Sequence, residues 1–303
     1  MKVLVIYHSR CPDGMCAAWC ADLYFRDKPD VEVEFYPAVH NKPPPLKRVA
    51  KADVVYIVDF AYSREDLIKI RDLTDMLKVL DHHKSSEASC HGLDFCEFDM
   101  DRSGAGMSWD YFFPNEDRPW LVDYIETRDI WTWKWPTAEE VLAFLDTLPI
   151  SFETYDKIHK GDITFGECRD KGEAIVQYIE MYNKETASAG TRFITFQCPS
   201  GEIYFDVPIV NASYKGISQL VHEICQGHDF GIGWFRRHDG KYQFSVRVSE
   251  DSTFDASKFC KSFGGGGHVK ASGFTLPHEI VELPPGGKRR VTENRLFYRG
   301  KDD

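Results

Sequence analysis

No stretch of the 303-residue sequence approaches the roughly 20 consecutive apolar residues needed to cross a bilayer, so a membrane-spanning protein is not expected. No CxxC pair occurs among nine scattered cysteines, which argues against a zinc ribbon and provides no disulfide framework. Their odd number suits a reducing, cytoplasmic setting. The opening MKVLVIYHSRCPDG carries one lysine ahead of its apolar run and no small-residue cleavage pattern. It reads as a buried first strand rather than a signal peptide. Basic residues are in deficit, with 37 Lys and Arg against 48 Asp and Glu, for a formal charge of −11. That balance disfavours long duplex nucleic acid as a partner, because such binding relies on many cation contacts to phosphate. A short anionic substrate in a local basic or metal-charged pocket remains open. No internal repeat is visible.

What is present is a composition of 43% hydrophobic, 14% aromatic and 28% charged residues, which belongs to a globular protein. At 34.9 kDa the chain suits two domains. The first part alternates strand-like runs, VLVIY, VEVEFYP, VVYIVDF and KVLDHH, with helical patterns such as GMCAAWCADLYF and SREDLIKIRDL. This rhythm predicts βαβ units and an α/β fold with a doubly wound, mainly parallel sheet. Ser63 followed by Asp66 resembles a capping box, so a helix begins just after the VVYIVD strand. The turn RSGAG (102–106) opens another helix. Residues 1–136 form the first domain in this reading, and 137–190 a helical connector. A smaller α+β domain follows over 191–303, with its core ending near Pro277 and a basic, then polar, tail.

His8 follows VLVIY, Asp59 ends VVYIVD, and Asp81, His82 and His83 follow KVL. Ligands of open α/β sheets bind at the carboxyl ends of strands, so these polar clusters are expected on one edge. With Asp13 in the HSRCPDG loop and Asp129 in ETRDIW, they supply mixed carboxylate and imidazole donors. Such a set, without a thiolate pair, favours Mn²⁺ or Mg²⁺ over structural zinc. Two divalent ions a few ångströms apart are what phosphodiester hydrolysis uses to activate water and offset phosphoryl charge. Alternation along the chain sends His82 and His83 in different directions, one toward metal and the other toward substrate. Near the other end, Gly264 to Gly267 and His268 read as an anion-binding turn of successive N–H groups. The alternating Trp131, Trp133 and Trp135 are expected on one face, covering a sheet edge. His40, beside Pro43 to Pro45, is read either as entering a loop at the pocket or, equally well, as part of a proline-rich surface turn.

These motifs, HSRCPDG, LDHH and FGGGGHVKASGF in that order, resemble the DHH/DHHA1 phosphoesterases. That family includes nanoRNase-type oligoribonucleases, RecJ-type exonucleases and cyclic-dinucleotide phosphodiesterases. The resemblance implies that Asp59 bridges two Mn²⁺ ions, that His8 helps to hold one, and that Asp13, His82 and Asp129 hold the other. It further implies that Asp81 orients a histidine of the pair and that His83 meets the scissile phosphate. Gly265, Gly266, Gly267 and His268, with Arg247 from FSVRVS, would bind the far end of the substrate. The family commonly has D-x-D in the first motif, where this chain has Cys11-Pro12-Asp13. Cys11 as a weak ligand, water in place of the carboxylate, and a loose first metal site are the alternatives. The expected substrate is a short single-stranded oligonucleotide or linear dinucleotide cleaved to nucleoside monophosphates, and a homodimer is compatible with the sequence. A phosphatase acting on nucleoside bisphosphate or polyphosphate, and a scaffold that has lost its metals, are the competing readings.

Overall fold

The computed structural model describes residues 1–40, 42–198 and 201–277, together with short strands at 281–282 and 297–298. The chain divides into two compact units, 1–177 and 178–303. Apart from those two short strands, the expected basic tail lies outside the described residues.

The first unit runs β1 (Lys2–His8), α1 (Pro12–Phe25), β2 (Glu32–Ala38), α2 (Leu46–Val49), β3 (Val54–Val58), α3 (Arg64–Arg71), β4 (Met76–Asp81), α4 (Glu87–Cys90) and β5 (Cys96–Phe98). It continues with α5 (Gly104–Phe112), α6 (Trp120–Asp129), α7 (Ala138–Leu145), α8 (Phe152–His159) and α9 (Phe165–Gly190), within which the division between units falls. The five strands are all parallel, in the order β2-β1-β3-β4-β5. Both faces of the sheet are buried, which explains the unbroken apolar runs. Val3, Val5 and Val58 pack with α1 and α5, whereas Leu4, Ile6 and Ile57 pack with α3 on the opposite face. The expected doubly wound α/β sheet is therefore present. Its order reverses between β1 and β3, and the gap at such a switch point is where these sheets bind ligands.

Local signals set the helix starts. The Ser63 hydroxyl accepts a hydrogen bond from the Asp66 amide at the start of α3, and the Ser103 hydroxyl does the same for Gly106 at the start of α5. Pro12 occupies the first turn of α1, where its missing N–H costs nothing.

The second unit adds β6 (Arg192–Gln197), β7 (Ile203–Asn211), α10 (Ile217–Ile224), β8 (Phe230–Arg236), β9 (Tyr242–Val248), α11 (Ala256–Ser262), β10 (Gly266–Gly267) and β11 (Ala271–Leu276). Its six-stranded sheet has the order β10-β11-β9-β8-β7-β6 and is antiparallel except between β7 and β8. Phe230, Phe244, Val246 and Phe274 form a core with Phe259 of α11, while Val210 packs with Leu220 and Val221 of α10. This is the expected α+β arrangement.

The tryptophan alternation does not place three indoles on one face. No strand forms there, because Trp131 and Trp133 have φ of 57° and 47°, and their rings meet edge to face at 5.2 Å. Trp135 instead stacks on Tyr124.

Candidate metal centre

The carboxyl edge of the first sheet gathers every residue expected there. His8 is the last residue of β1, Asp13 lies in the first turn of α1, and Asp59 directly follows β3. Asp81 ends β4 with His82 and His83 after it, and Asp129 ends α6. The backbone is bent to deliver them. Asp59 has φ of 53°, and Arg10, between His8 and Asp13, has φ of 60°. Left-handed conformations at non-glycine residues cost energy and persist where the surroundings hold them in place.

Three carboxylates converge on one imidazole. His82 Nε2 lies 3.1 Å from Asp59 Oδ1, 3.3 Å from Asp129 Oδ2 and 3.6 Å from Asp13 Oδ2. The other oxygen of Asp59 faces His8, with Oδ2 3.4 Å from Nδ1. Within the first unit two donor groups result, Asp13 with His82 and Asp129, and His8 with Asp59 and His83. Within each group the donor atoms lie within 4.8 Å of one another. Asp59 stands between the groups with one oxygen toward each. Cys11 belongs to neither.

Backbone amides fix the carboxylates. Gly104 N and Ala105 N, at the start of α5, donate to the two oxygens of Asp13 at 2.7 and 2.9 Å. Only glycine fits at 104, since a Cβ there would lie 2.3 Å from Asp59 Cβ. Asp81 Oδ1 accepts from the amides of His82 and His83 and lies 2.8 Å from His83 Nδ1, which sets that ring's orientation. Below the site, buried Glu126 accepts from Ser103 N and from Arg118, steadying the turn that carries Gly104.

Charge is compressed here. Burial, then Asp59 and Asp129, push the Asp13 carboxyl well above its usual range. Burial likewise raises Asp129, His82 opposing it. Burial also disfavours charge on Asp59, but the neighbouring His8, His82 and His83 imidazoles outweigh it and hold that carboxyl well below its usual range. Desolvation opposes the His82 imidazolium too, yet Asp59, Asp129 and Asp13 push it up to about 10. Burial, followed by the same carboxylates, raises the Cys11 thiol. Among the described residues, no lysine or arginine bridges Asp13, Asp59, Asp81 or Asp129.

Buried polar atoms without hydrogen bonds remain at His8 Nδ1, Asp59 Oδ2 and Asp129 Oδ2. Native structures rarely leave such atoms unsatisfied, and carboxylates concentrated around imidazoles call for cationic compensation. The donor set therefore fits divalent cations.

Sequence reasoning missed the roles of Gly104, Ala105 and Glu126, and left His40 undecided between a pocket loop and a surface turn. The His40 ring lies 4.9 Å from His8, 6.0 Å from His83 and 4.9 Å from Phe60, between centroids. Desolvation, followed by the fields of His8 and His83, lowers its pKa to about 4. Strand register carried the missing signal. His40 stands two residues beyond Ala38, which pairs with His8 across β1 and β2, so it arrives on the same edge.

In the second unit Arg247 lies on β9, with its guanidinium bonded to Ser218 Oγ at 2.6 Å and Val246 O at 2.8 Å. Its Nε is buried without a hydrogen bond, and desolvation lowers its pKa to about 10. Ala271 pairs with Arg247 across β11 and β9, and β11 pairs in turn with Gly266 and Gly267. The glycine run is not an open row of amides. Gly264 N and Gly265 N cap α11 by donating to Lys261 O and Cys260 O, and Gly266 and Gly267 form β10. His268 N donates to Ala271 O.

No family model matches the chain. A curated relative is the uncharacterized protein R106 of Acanthamoeba polyphaga mimivirus, 26% identical over 308 residues, covering 92% of this chain and 70% of that protein. Among solved structures, an uncharacterized protein from Helicobacter pylori G27 aligns at 13% identity and TM-score 0.45, over 91% of this chain and 93% of that one. A pGpG-specific phosphodiesterase, PggH, from Vibrio cholerae aligns at 13% identity and TM-score 0.47, with the same coverage. An exopolyphosphatase-related protein from Bacteroides fragilis aligns at 14% identity and TM-score 0.45, over 92% and 88%. Likenesses this distant leave the chemistry to be argued from the residues. Among the described residues, no helix is long and apolar enough to cross a membrane.

Proposed function

We propose that the chain is a metal-dependent phosphoesterase that hydrolyses short single-stranded oligonucleotides or linear dinucleotides to nucleoside monophosphates, with two Mn²⁺ ions as the favoured cofactor. The observation that carries this reading is the position of Asp59, which presents one oxygen to each of two donor groups. Asp13, His82 and Asp129 would hold one cation, and His8 with Asp59 the other. Bound there, divalent cations supply charge compensation for phosphoryl oxygens and acidify water toward neutral pH.

The chain's own groups set the geometry. The first amides of α5 fix the rotamer of Asp13, so that its remaining lone pairs face the cluster. Asp81 holds His83 on the His8 side, where the ring can reach a phosphoryl oxygen. Arg247 offers a guanidinium with no carboxylate partner among the described residues, suited to a second anionic group of the substrate, with Gly265, Gly266, Gly267 and His268 on or beside the adjoining strands.

The test is turnover of labelled RNAs and DNAs of two to ten nucleotides with Mn²⁺, alongside a nucleoside bisphosphate and polyphosphate. The expected result is monophosphate release, fastest from the shortest oligonucleotides and abolished by chelation. Orthophosphate release from polyphosphate alone would replace this reading with a phosphatase. Processive degradation of long single strands would move it toward an exonuclease.

A further inference from the structure

We propose that Glu126 and Arg118 are positioning residues for the cation site of Asp13, His82 and Asp129, fastening α5 to α6 so that the gap between the two carboxylates is fixed before a cation arrives. The inference rests on the reading of that group as a cation site. It assigns a function to two residues that lie outside both donor groups.

The two carboxylates depend on different helices. Asp13 is pinned to the start of α5 by Gly104 N and Ala105 N, whereas Asp129 is the last residue of α6. Their separation therefore depends on how α5 sits against α6. Glu126 lies on α6 one turn before Asp129 and is buried, and its Oε2 accepts from Ser103 N at 3.0 Å. Ser103 immediately precedes the two amides that hold Asp13. The other oxygen of Glu126 accepts from Arg118 Nη1 at 2.8 Å. Arg118, in the link between the helices, turns Nε and Nη2 to the two oxygens of Asp110 on α5, with Nε at 2.8 Å. Its Nη1 also lies 3.8 Å from Asp123 Oδ1 on α6. One guanidinium thus holds both helices, and one carboxylate ties α6 to the turn that carries Asp13.

Gly106 shows that this approach is built into the fold. A Cβ there would lie 2.0 Å from Glu126 Oε2 and 3.1 Å from Arg118 Nη1. Glycine within a helix is less stable than alanine, so its place in α5 has a reason in the carboxylate it admits. Both glycines of RSGAG are then accounted for, Gly104 by Asp59 and Asp13, and Gly106 by Glu126. A buried carboxylate is tolerable only when its oxygens are engaged, and here each has a donor. With both oxygens engaged, Glu126 braces the site and leaves the cation to Asp13, His82 and Asp129. Partners of this kind, one step behind the ligands, typically alter metal affinity by about 10- to 100-fold.

The experiment titrates the metal-stripped full-length protein with Mn²⁺ by calorimetry, at a temperature where circular dichroism shows each variant folded. Wild type should bind two equivalents. Glu126→Ala should hold one of them at least about tenfold more weakly and leave the other within about twofold. Glu126→Gln can keep one of the two hydrogen bonds and should recover part of the loss. Adding Glu126→Ala to Asp129→Asn should weaken that site little further, whereas adding it to His8→Ala should cost the full tenfold, because only the first pair acts on one site. Should Glu126→Ala not fold, Asp110→Asn, which loosens Arg118 from α5 at its more exposed end, decides with Glu126→Gln. Both should weaken the same equivalent by about threefold. A brace with a purely structural role would lower the melting temperature while leaving the affinities of the folded protein unchanged, or would weaken both equivalents alike. Either result would overturn the proposal and leave the proposed function standing. A wild-type protein that binds no Mn²⁺ would remove both.

Discussion

Each of the two units holds buried polar atoms of ionisable groups that the described residues leave unsatisfied, and the groups are of opposite sign. In the first, carboxylates of Asp13, Asp59, Asp81 and Asp129 crowd around imidazoles, and buried oxygens of Asp59 and Asp129 make no hydrogen bond. In the second, the guanidinium of Arg247 meets a hydroxyl and a carbonyl but, among the described residues, no carboxylate, and its Nε makes no hydrogen bond. Uncompensated buried charge is costly, so its sign indicates the sign of the missing ligand. One unit calls for a cation and the other for an anion, which is what a metal-dependent enzyme with an anionic substrate requires.

The sharpest way to break this comparison is Asp59→Asn. It removes the charge that both donor groups share, and the expected outcome is loss of both cations by elemental analysis and a fall in turnover of about 10³-fold or more. A folded Asp59→Asn protein with unchanged turnover would sink the shared-site reading.

The next test uses pH. In the cation-free protein the His82 imidazole is pushed up to about 10, so it is protonated at neutral pH and a cation must displace that proton. Cation affinity at the Asp13, His82 and Asp129 group should therefore rise about tenfold per pH unit toward pH 10, with proton release visible by calorimetry in buffers of different protonation enthalpy. The stability sign follows from the same shift. The raised pKa stabilises the cation-free fold fully below pH 6.5, and that stabilisation is lost as pH rises toward 10. A cation affinity independent of pH would mean that His82 is not a ligand.

Gly104→Ala should act more mildly. The added methyl would sit 2.3 Å from Asp59 Cβ and 2.8 Å from Asp13 Oδ2. The start of α5 must then shift, at a cost of about 1 to 3 kcal/mol by thermal or denaturant melting, with weaker cation binding. Stability and cation affinity equal to wild type would show that the close approach is not needed.

The smallest effect is expected for the opposite charge. Arg247→Met should leave the melting temperature unchanged or slightly raised, because an unpaired buried cation gives way to an apolar chain of similar length. It should nevertheless weaken kcat/KM for a dinucleotide by about tenfold while sparing a small aryl phosphodiester. Equal losses on the two substrates would assign Arg247 to folding rather than to substrate.

The parallel sheet was legible because VLVIY and VVYIV are unbroken apolar runs followed by polar residues, which is how a sheet buried on both faces reads. Ser63 and RSGAG marked helix starts through side-chain capping, a strictly local effect. His8, Asp59 and His82 could be placed on one edge from strand ends alone, whereas Asp13, in the first turn of α1, and Asp129, at the end of α6, were reached through the family resemblance. The contributions of Gly104, Ala105 and Glu126 could not, because they act through tertiary contacts across more than 20 residues that no local spacing encodes. His40 stayed undecided because its prolines suited a surface turn as well as a pocket loop, although the parallel register of β1 and β2 brings it to the same edge as His8. The tryptophan alternation misled because a period of two has meaning only in extended chain, and Trp131 and Trp133 are left-handed.

The reversal of strand order between β1 and β3 also bears on the time course of folding. The candidate cation ligands come from four separate segments, the last of which, Asp129, is carried by α6, a helix packed on α1 and α5. Contacts so far apart in sequence are late to form, so a nascent or partly folded chain lacks the centre altogether. Cations should then do little to hasten folding and should instead slow unfolding, so that metal-loaded protein outlasts metal-free protein in a denaturant jump even where their refolding rates coincide.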